Sequence, residues 1–320
     1  MKPSAHGDGS IHPLPRPLYL ALALGFCLSW ASAFPAAKLV VEAAPPLLAL
    51  GMRFLLAGGL LLAWFAARGG RLGALPWRRL ALLGLLNQVG YMGFAWLGMT
   101  SVSAGLATII ASLNPVLVGA LAAPVLGERM HGRKLVGLLL GLAGAAIVVR
   151  ERVALDHERM VGVVEQCIAL AALVAGTLAF KRLAGPVPLV AAVGAQQMVA
   201  AVVLLAAGGL LENPAHFHPS AAFWAGFAWL VLGVSVGSYL IWFLLLRRGT
   251  ASAASALHFL IPPIGLVMSW AALGEPLRWS DLLGVVPIAI GIRLAVGREP
   301  GRAGYVPSPR GAGTIPAERR

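Results

Sequence analysis

The sequence predicts an all-α, polytopic integral membrane protein, with ten transmembrane helices arranged as two inverted five-helix repeats. Three observations carry the prediction: too little charge for a water-facing surface, ten apolar runs of membrane-crossing length, and self-similarity between the halves. Of the 320 residues, 59% are hydrophobic and only 12% charged, with a mean hydropathy of +0.83. A soluble domain carries about 25% charged residues. A chain this apolar has too much surface to hide from water. A soluble enzyme, a nucleic-acid-binding domain and a disordered chain are excluded as leading readings.

A helix needs about 20 apolar residues to cross the hydrocarbon core. Such runs lie near 17–37, 46–67, 76–97, 102–125, 134–150, 161–180, 187–209, 221–245, 250–273 and 279–296, called spans 1 to 10 below. Continuous runs argue against a barrel, whose strands alternate in segments of about ten residues. Lys2 and Arg16 precede span 1, and Ala31-Ser32-Ala33 resembles a signal-cleavage site. Losing span 1 would leave nine spans and break the repeat, so it is expected to be retained. Segments 1–16 and 297–320, rich in Pro, Gly and Arg, read as disordered cytoplasmic tails.

The net charge of +13 follows the positive-inside rule, so it needs no nucleic-acid partner. With both termini cytoplasmic, eighteen of the 25 Lys and Arg residues fall in inside segments and five in outside loops. Arg53 and Arg293 are left within spans. The expected location is the cell (inner) membrane, multi-pass, with the lipid bilayer and a small-molecule substrate as partners, as monomer or homodimer. Cys27 and Cys167 sit in apolar runs without CxxC or metal spacing, so neither a metal nor a disulfide framework is expected.

Shifting the chain by 147 residues aligns Gly90 with Gly237, Ala104 with Ala251, Pro115 with Pro262, and Gly127-Glu128 with Gly274-Glu275. A shift of 143–144 brings Lys38 onto Lys181 and Arg53 onto Gln197. The repeats are 17–150 and 161–296, joined by an external linker at 151–160. Five helices is an odd number, so the second copy enters the membrane from the opposite side. Inverted repeats place a site between two similar bundles near the midplane. That symmetry suits alternating access and has no evident value to a membrane enzyme. A transporter is expected, and no enzymatic function.

The same residues carry a family resemblance. Span 1 reads Ser29-Trp30-Ala31-Ser32-Ala33-Phe34-Pro35 and runs on to Lys38, and span 2 opens at Pro45-Pro46 and carries Arg53-Phe54. Span 4 has Ser112-Leu113-Asn114-Pro115 and ends at Gly127-Glu128-Arg129; span 9 has Ile261-Pro262 and ends at Gly274-Glu275-Pro276. The chain resembles the EamA-type transporters of the drug/metabolite transporter superfamily, over about 17–296. The resemblance implies an exporter or facilitator of metabolites, often amino acids, with a cavity lined by spans 1–4 and 6–9. It implies no organic cofactor.

Ionisable groups inside a membrane need a partner or water. Arg53, about two turns into span 2, reads either as a cavity cation for a carboxylate or as a structural Arg snorkelling to the interface. Lys38, at the end of span 1, reads as interfacial. Glu165 and His258 are the candidates for proton coupling. Glu165 also reads as a helix-start carboxylate, and His258 as a neutral imidazole bonded to a neighbouring helix. For the substrate site the sequence offers Trp30, Arg53, Asn87, Gln88, Tyr91, Gln197, Tyr239, Trp242 and His258, a few polar groups among aromatics. Interhelical hydrogen bonding is the competing use of the polar ones. Asn114-Pro115 and Pro262-Pro263 are candidate gates, because proline kinks a helix. Gly233-Val234-Ser235-Val236-Gly237 matches a nucleophile-elbow pattern, yet that motif needs a strand–turn–helix setting. The expected function is export of amino acids or similar small polar metabolites. Multidrug or amphipathic-cation efflux is the alternative, with a lipid-modifying membrane enzyme behind it.

Overall fold

The computed structural model describes residues 15–111, 113–126, 159–183, 185–248 and 254–295, with isolated helical positions between 132 and 147. Most of span 5 and nearly all of the 151–160 linker and of the tails lie outside the described residues, as does Glu128. All regular structure among the described residues is helical. Seven of these helices are long and apolar enough to cross a membrane.

Span 1 runs Pro17–Ala43, longer than its apolar run suggests. Ser32 keeps helical dihedrals between its two stretches. Lys38 therefore lies within the helix, a correction to its expected place at the end. The break comes at Ala44, which is extended because Pro45 follows. Span 2, Pro46–Ala67, starts with proline in its first turn and stops before Gly69, whose φ of 81° only glycine adopts without strain. Span 3 is Trp77–Met99, span 6 Met160–Leu183, span 7 Leu189–Leu211 and span 8 Ala221–Arg248.

Spans 4 and 9 are each broken near their middle. Span 4 is Ala104–Ala111 followed by Asn114–Leu126, and span 9 is a 3-10 turn Ala256–Phe259 followed by Ile261–Leu273. The prolines do not kink a continuous helix. Pro115 and Pro262-Pro263 lie in the first turn of a new one, where a missing N–H costs nothing. Span 9 ends on Gly274 in the left-handed conformation (φ 68°), and span 10 is Trp279–Ala295.

Spans 2 and 7 pack against each other more extensively than any other pair among the described residues and run antiparallel. Gly51 packs on Leu205, Gly58 on the Gly194–Met198 backbone, and Gly208 on Leu48. The pairing mirrors itself: the Gly51–Leu205 contact recurs as Gly194 against Leu61, which the 143–144 shift predicts. The packing of spans 2 and 7 is thus reciprocal about a local two-fold axis.

Candidate functional site

Spans 3 and 8 carry π-helical segments at repeat-equivalent places, Leu85–Gly93 and Leu230–Ser238. A π segment widens one turn and re-aims its side chains, and such turns gather at functional sites. Here they turn Asn87, Gln88 and Tyr91 from one side, and Ser235 and Ser238 from the other, into the bundle, where all are buried. Close packing behind span 3 comes from Gly176 of span 6: a Cβ there would overlap the Asn87 amide.

Arg53 is 1% exposed, which removes the snorkelling reading. Its Nε donates to Ser235 Oγ at 2.7 Å, and its guanidinium lies 5.4 Å from the Phe54 ring and 5.6 Å from the Trp96 ring. Aromatic faces attract a cation without neutralising it. Nη2 has no partner among the described residues, and no ion pair reaches the group. The phenols of Tyr91 and Tyr239 are the ionisable neighbours within electrostatic reach. Gln197 Nε2 donates to Ser235 O at 2.6 Å, and its Oε1 is unpaired. Gln88 is fully buried with neither amide atom paired, and Tyr239 Oη is unpaired too. Buried polar atoms normally have partners; Arg53, Gln88, Gln197 and Tyr239 each keep at least one polar atom without a partner among the described residues.

Beside this polar region lies an aromatic one. Trp30 is 5.2 Å from Phe26, 5.2 Å from Tyr239, 5.9 Å from His258 and 6.5 Å from Tyr91, ring centre to ring centre. His258 meets Trp242 edge-on at 4.8 Å, and Phe26 stacks on Trp242 at 5.5 Å. Neither ring nitrogen of His258 has a partner at hydrogen-bonding geometry, although the Ser255 backbone is close by. Spans 1, 3, 8 and 9 thus bring Trp30, Tyr91, Tyr239, Trp242 and His258 together, while Arg53 and Gln197 meet on Ser235. Asn87 instead bonds Gln196, Nδ2 to Oε1 at 3.3 Å. Asn114 is buried with its amide unpaired.

Glu165 is only half-buried, and no hydrogen bond or ion pair joins it to this cluster among the described residues. The Gly233–Gly237 pattern lies inside the π segment, not on a strand–turn–helix elbow. Ser235 there accepts from Arg53 and is no nucleophile of that type. Phe26 was not foreseen, because one Phe in an apolar run carries no distinguishing signal.

At one end of the bundle, charges cap helices. Lys38 Nζ donates to Met99 O at 2.8 Å and Val102 O at 3.1 Å, closing the end of span 3. The Glu275 carboxylate accepts from Ala104 N and Gly105 N at 2.9 and 3.0 Å; Glu212 accepts from Leu47 N and Leu48 N at 2.8 and 2.9 Å. Each carboxylate meets the positive end of a neighbouring helix. The Glu212 cap has no local sequence signature, because donor and acceptor are 165 residues apart. A vestibule of about 920 Å³ opens at this end, lined by Lys38, Glu42, Ser101, Arg159, Ala272 and Glu275. The opposite end carries Arg68, Arg71, Arg78, Arg79, Lys181, Arg182, Arg247 and Arg248, with Arg247 Nη2 bonded to Val187 O.

The family model for the EamA-like transporter family matches residues 17–150 and again 162–297, most of the chain in two copies. The chain belongs to the EamA-like transporter family. It is 31% identical over 276 residues to the uncharacterized transporter YvbV of Bacillus subtilis, covering 86% of this chain and 90% of that one. It is 27% identical to a probable amino-acid metabolite efflux pump of Salmonella typhimurium, covering 86% and 93%. A crystal structure at 20% identity superposes with a TM-score of 0.69 over 88% of this chain and 97% of its own, which shows the fold. As an EamA-like protein the chain is a membrane-embedded, multi-span transporter with a duplicated helical unit. The duplicated family match and the mirrored packing of spans 2 and 7 meet at the buried cluster around Arg53.

Proposed function

We propose that this EamA-like transporter exports small carboxylate-bearing metabolites, amino acids or their derivatives first among them, by alternating access across the cell inner membrane. The observation that carries the reading is the Arg53 guanidinium, buried, unpaired at Nη2 and without a carboxylate partner among the described residues. An uncompensated cation in a membrane is costly, and a substrate carboxylate is the counter-charge that would relieve it. Gln88, Gln197 and Tyr239 offer further donors and acceptors for an amino or hydroxyl group. Trp30, Tyr91, Trp242 and His258 take the apolar part. The printed name of the Salmonella relative, an amino-acid metabolite efflux pump, supports the substrate class.

In the proposed orientation the basic end and both termini are cytoplasmic, and the Lys38 end is external. The two repeats, 17–150 and 161–296, rock about the pair formed by spans 2 and 7. The helix breaks at Asn114-Pro115 and Pro262-Pro263 act as hinges. His258 stands in the cluster and Glu165 apart from it, so His258 is the residue of choice for any proton coupling. Cation efflux would want an acidic group beside the aromatics, and the described residues supply none there.

The test is uptake of a pooled metabolite extract into proteoliposomes, read by mass spectrometry with and without a proton gradient. Selective accumulation of amino acids or related carboxylates is the expected result. Accumulation of neutral or cationic amphiphiles alone would transfer the protein to the efflux class.

A further inference from the structure

The two registers that align the repeats pair Arg53 with Gln197 and Gln88 with Ser235. The packing of spans 2 and 7 obeys that symmetry, since Gly51 against Leu205 is repeated by Gly194 against Leu61. The polar contacts break it. Arg53 and Gln197, one equivalent pair, both lean on Ser235 of span 8 at 2.7 and 2.6 Å. The mirror image of those two bonds would have Arg53 and Gln197 both leaning on Gln88 of span 3. Gln88 is instead fully buried with its amide nitrogen and oxygen both unpaired, and Gln197 Oε1 is also unpaired.

Spans 3 and 7 already meet one residue away from the mirror positions. Asn87 and Gln196, the sequence neighbours of Gln88 and Gln197, already hydrogen-bond at 3.3 Å. The Gly84 position packs directly on the Gln196 backbone. Gln88 and Ser235 also both lie in π segments, whose irregular ladders tolerate rotation better than a regular α-helix does. Under exchange of the repeats' conformations, the motion that inverted symmetry permits, the counterpart of each bond to Ser235 is a bond to Gln88.

We propose that Gln88 is a positioning residue of the transport cycle: in the opposite-facing state Arg53 and Gln197 leave Ser235 and pair with Gln88. The proposal rests on the alternating-access reading above. It gives the unpaired glutamine amides a use that a static site does not, and it keeps the buried Arg53 bonded in both end states.

The test uses the full chain in vesicles with Cys27→Ser and Cys167→Ser, and Ala272→Cys as a reporter in the vestibule. The rate of labelling by a membrane-impermeant maleimide reads how far that end is open. Gln88→Ala removes the anchor of the opposite state, and Ser235→Ala removes the hydroxyl that holds Arg53 in this one, leaving the carbonyl bond to Gln197. The two variants are expected to shift labelling in opposite directions, each by about fivefold or more, with the double variant near the parent. Gln88→Leu, of similar volume and without polar atoms, serves in place of Gln88→Ala where yield is poor. Equal shifts, or none, in folded protein whose parent still responds to an amino-acid mixture would overturn the pairing alone. A parent whose labelling ignores such mixtures would overturn alternating access with it.

Discussion

Arg53 and Gln197 occupy equivalent positions in the two repeats and both donate to Ser235, one to its hydroxyl and one to its carbonyl oxygen. The duplicated chain has placed a charge at one copy of the position and a neutral amide at the other. A symmetric scaffold thereby acquires an asymmetric site, with one guanidinium among its described residues. The first prediction follows from that asymmetry. Arg53→Gln, which makes the two copies alike, should weaken transport of carboxylate substrates at least tenfold while neutral analogues change little. A tenfold loss corresponds to about 1.4 kcal/mol, modest for a charge-assisted hydrogen bond. Competition uptake with matched acid and amide substrates checks it; equal losses for both would return Arg53 to a structural role.

His258 separates binding from stability. Its ring meets those of Phe26, Trp30 and Trp242 edge-on while both nitrogens go unpaired. Replacing an unsatisfied buried polar group with an apolar one of similar shape is nearly neutral or stabilising. His258→Phe should therefore keep or raise the melting temperature in detergent. If the nitrogens serve the substrate, KM should rise about tenfold, a hydrogen bond's worth. A fall in melting temperature would mean that His258 holds the bundle together instead.

Gly58 and Gly59 are adjacent and should behave oppositely. A Cβ at Gly58 would stand 3.0–3.1 Å from Gly194 O, Met198 N and Gln197 Cβ of span 7. At Gly59 the nearest atom is Met198 Cε at 3.8 Å. Alanine gains up to about 1 kcal/mol over glycine in a helix, and overpacking costs about 1–3 kcal/mol. Gly59→Ala should be neutral or mildly stabilising, and Gly58→Ala should lower the melting temperature by several degrees. The same thermal shift in both would show that spans 2 and 7 do not pack this closely.

The helix-capping carboxylates give a graded series. Glu275→Gln and Glu212→Gln each remove the charge that faces two backbone N–H groups, and each should cost about 1 kcal/mol, within the usual range for caps. Glu42→Gln is the control: its pairing with Lys38 is long, 3.7 Å, and the carboxylate is exposed. Surface pairs of that kind are worth little. Thermal unfolding of the three variants should rank Glu42→Gln nearest to wild type.

Much of this protein is legible in its sequence. Composition fixes lipid as its solvent, because 12% charge cannot clothe a surface of this size. Apolar runs locate the described spans to within a few residues, apart from span 1. There the helix continues past Lys38, whose ammonium bonds the carbonyls of Met99 and Val102 rather than water. The self-alignment foretells the antiparallel pairing of spans 2 and 7, since an odd number of helices must invert its copy. Trp30, Tyr91, Tyr239, Trp242 and His258 are recognisable as candidates because large aromatic and titratable groups are conspicuous in apolar runs.

What only tertiary structure decided is who meets whom. Sequence offered Arg53 as either a buried cation or an interfacial one; its burial, and its bond to a residue 182 positions away, settle that choice. Ser235 sat within a decoy motif, and its place under both Arg53 and Gln197 depends on a π turn that no residue pattern announces. The prolines of spans 4 and 9 looked like kinks and are helix starts, because the break precedes them. Hydrophobic periodicity and charge report one residue's preference for lipid or water, which is a local property. Hydrogen bonds between helices depend on rotation and register about each helix axis, which only the packing of all the spans together determines.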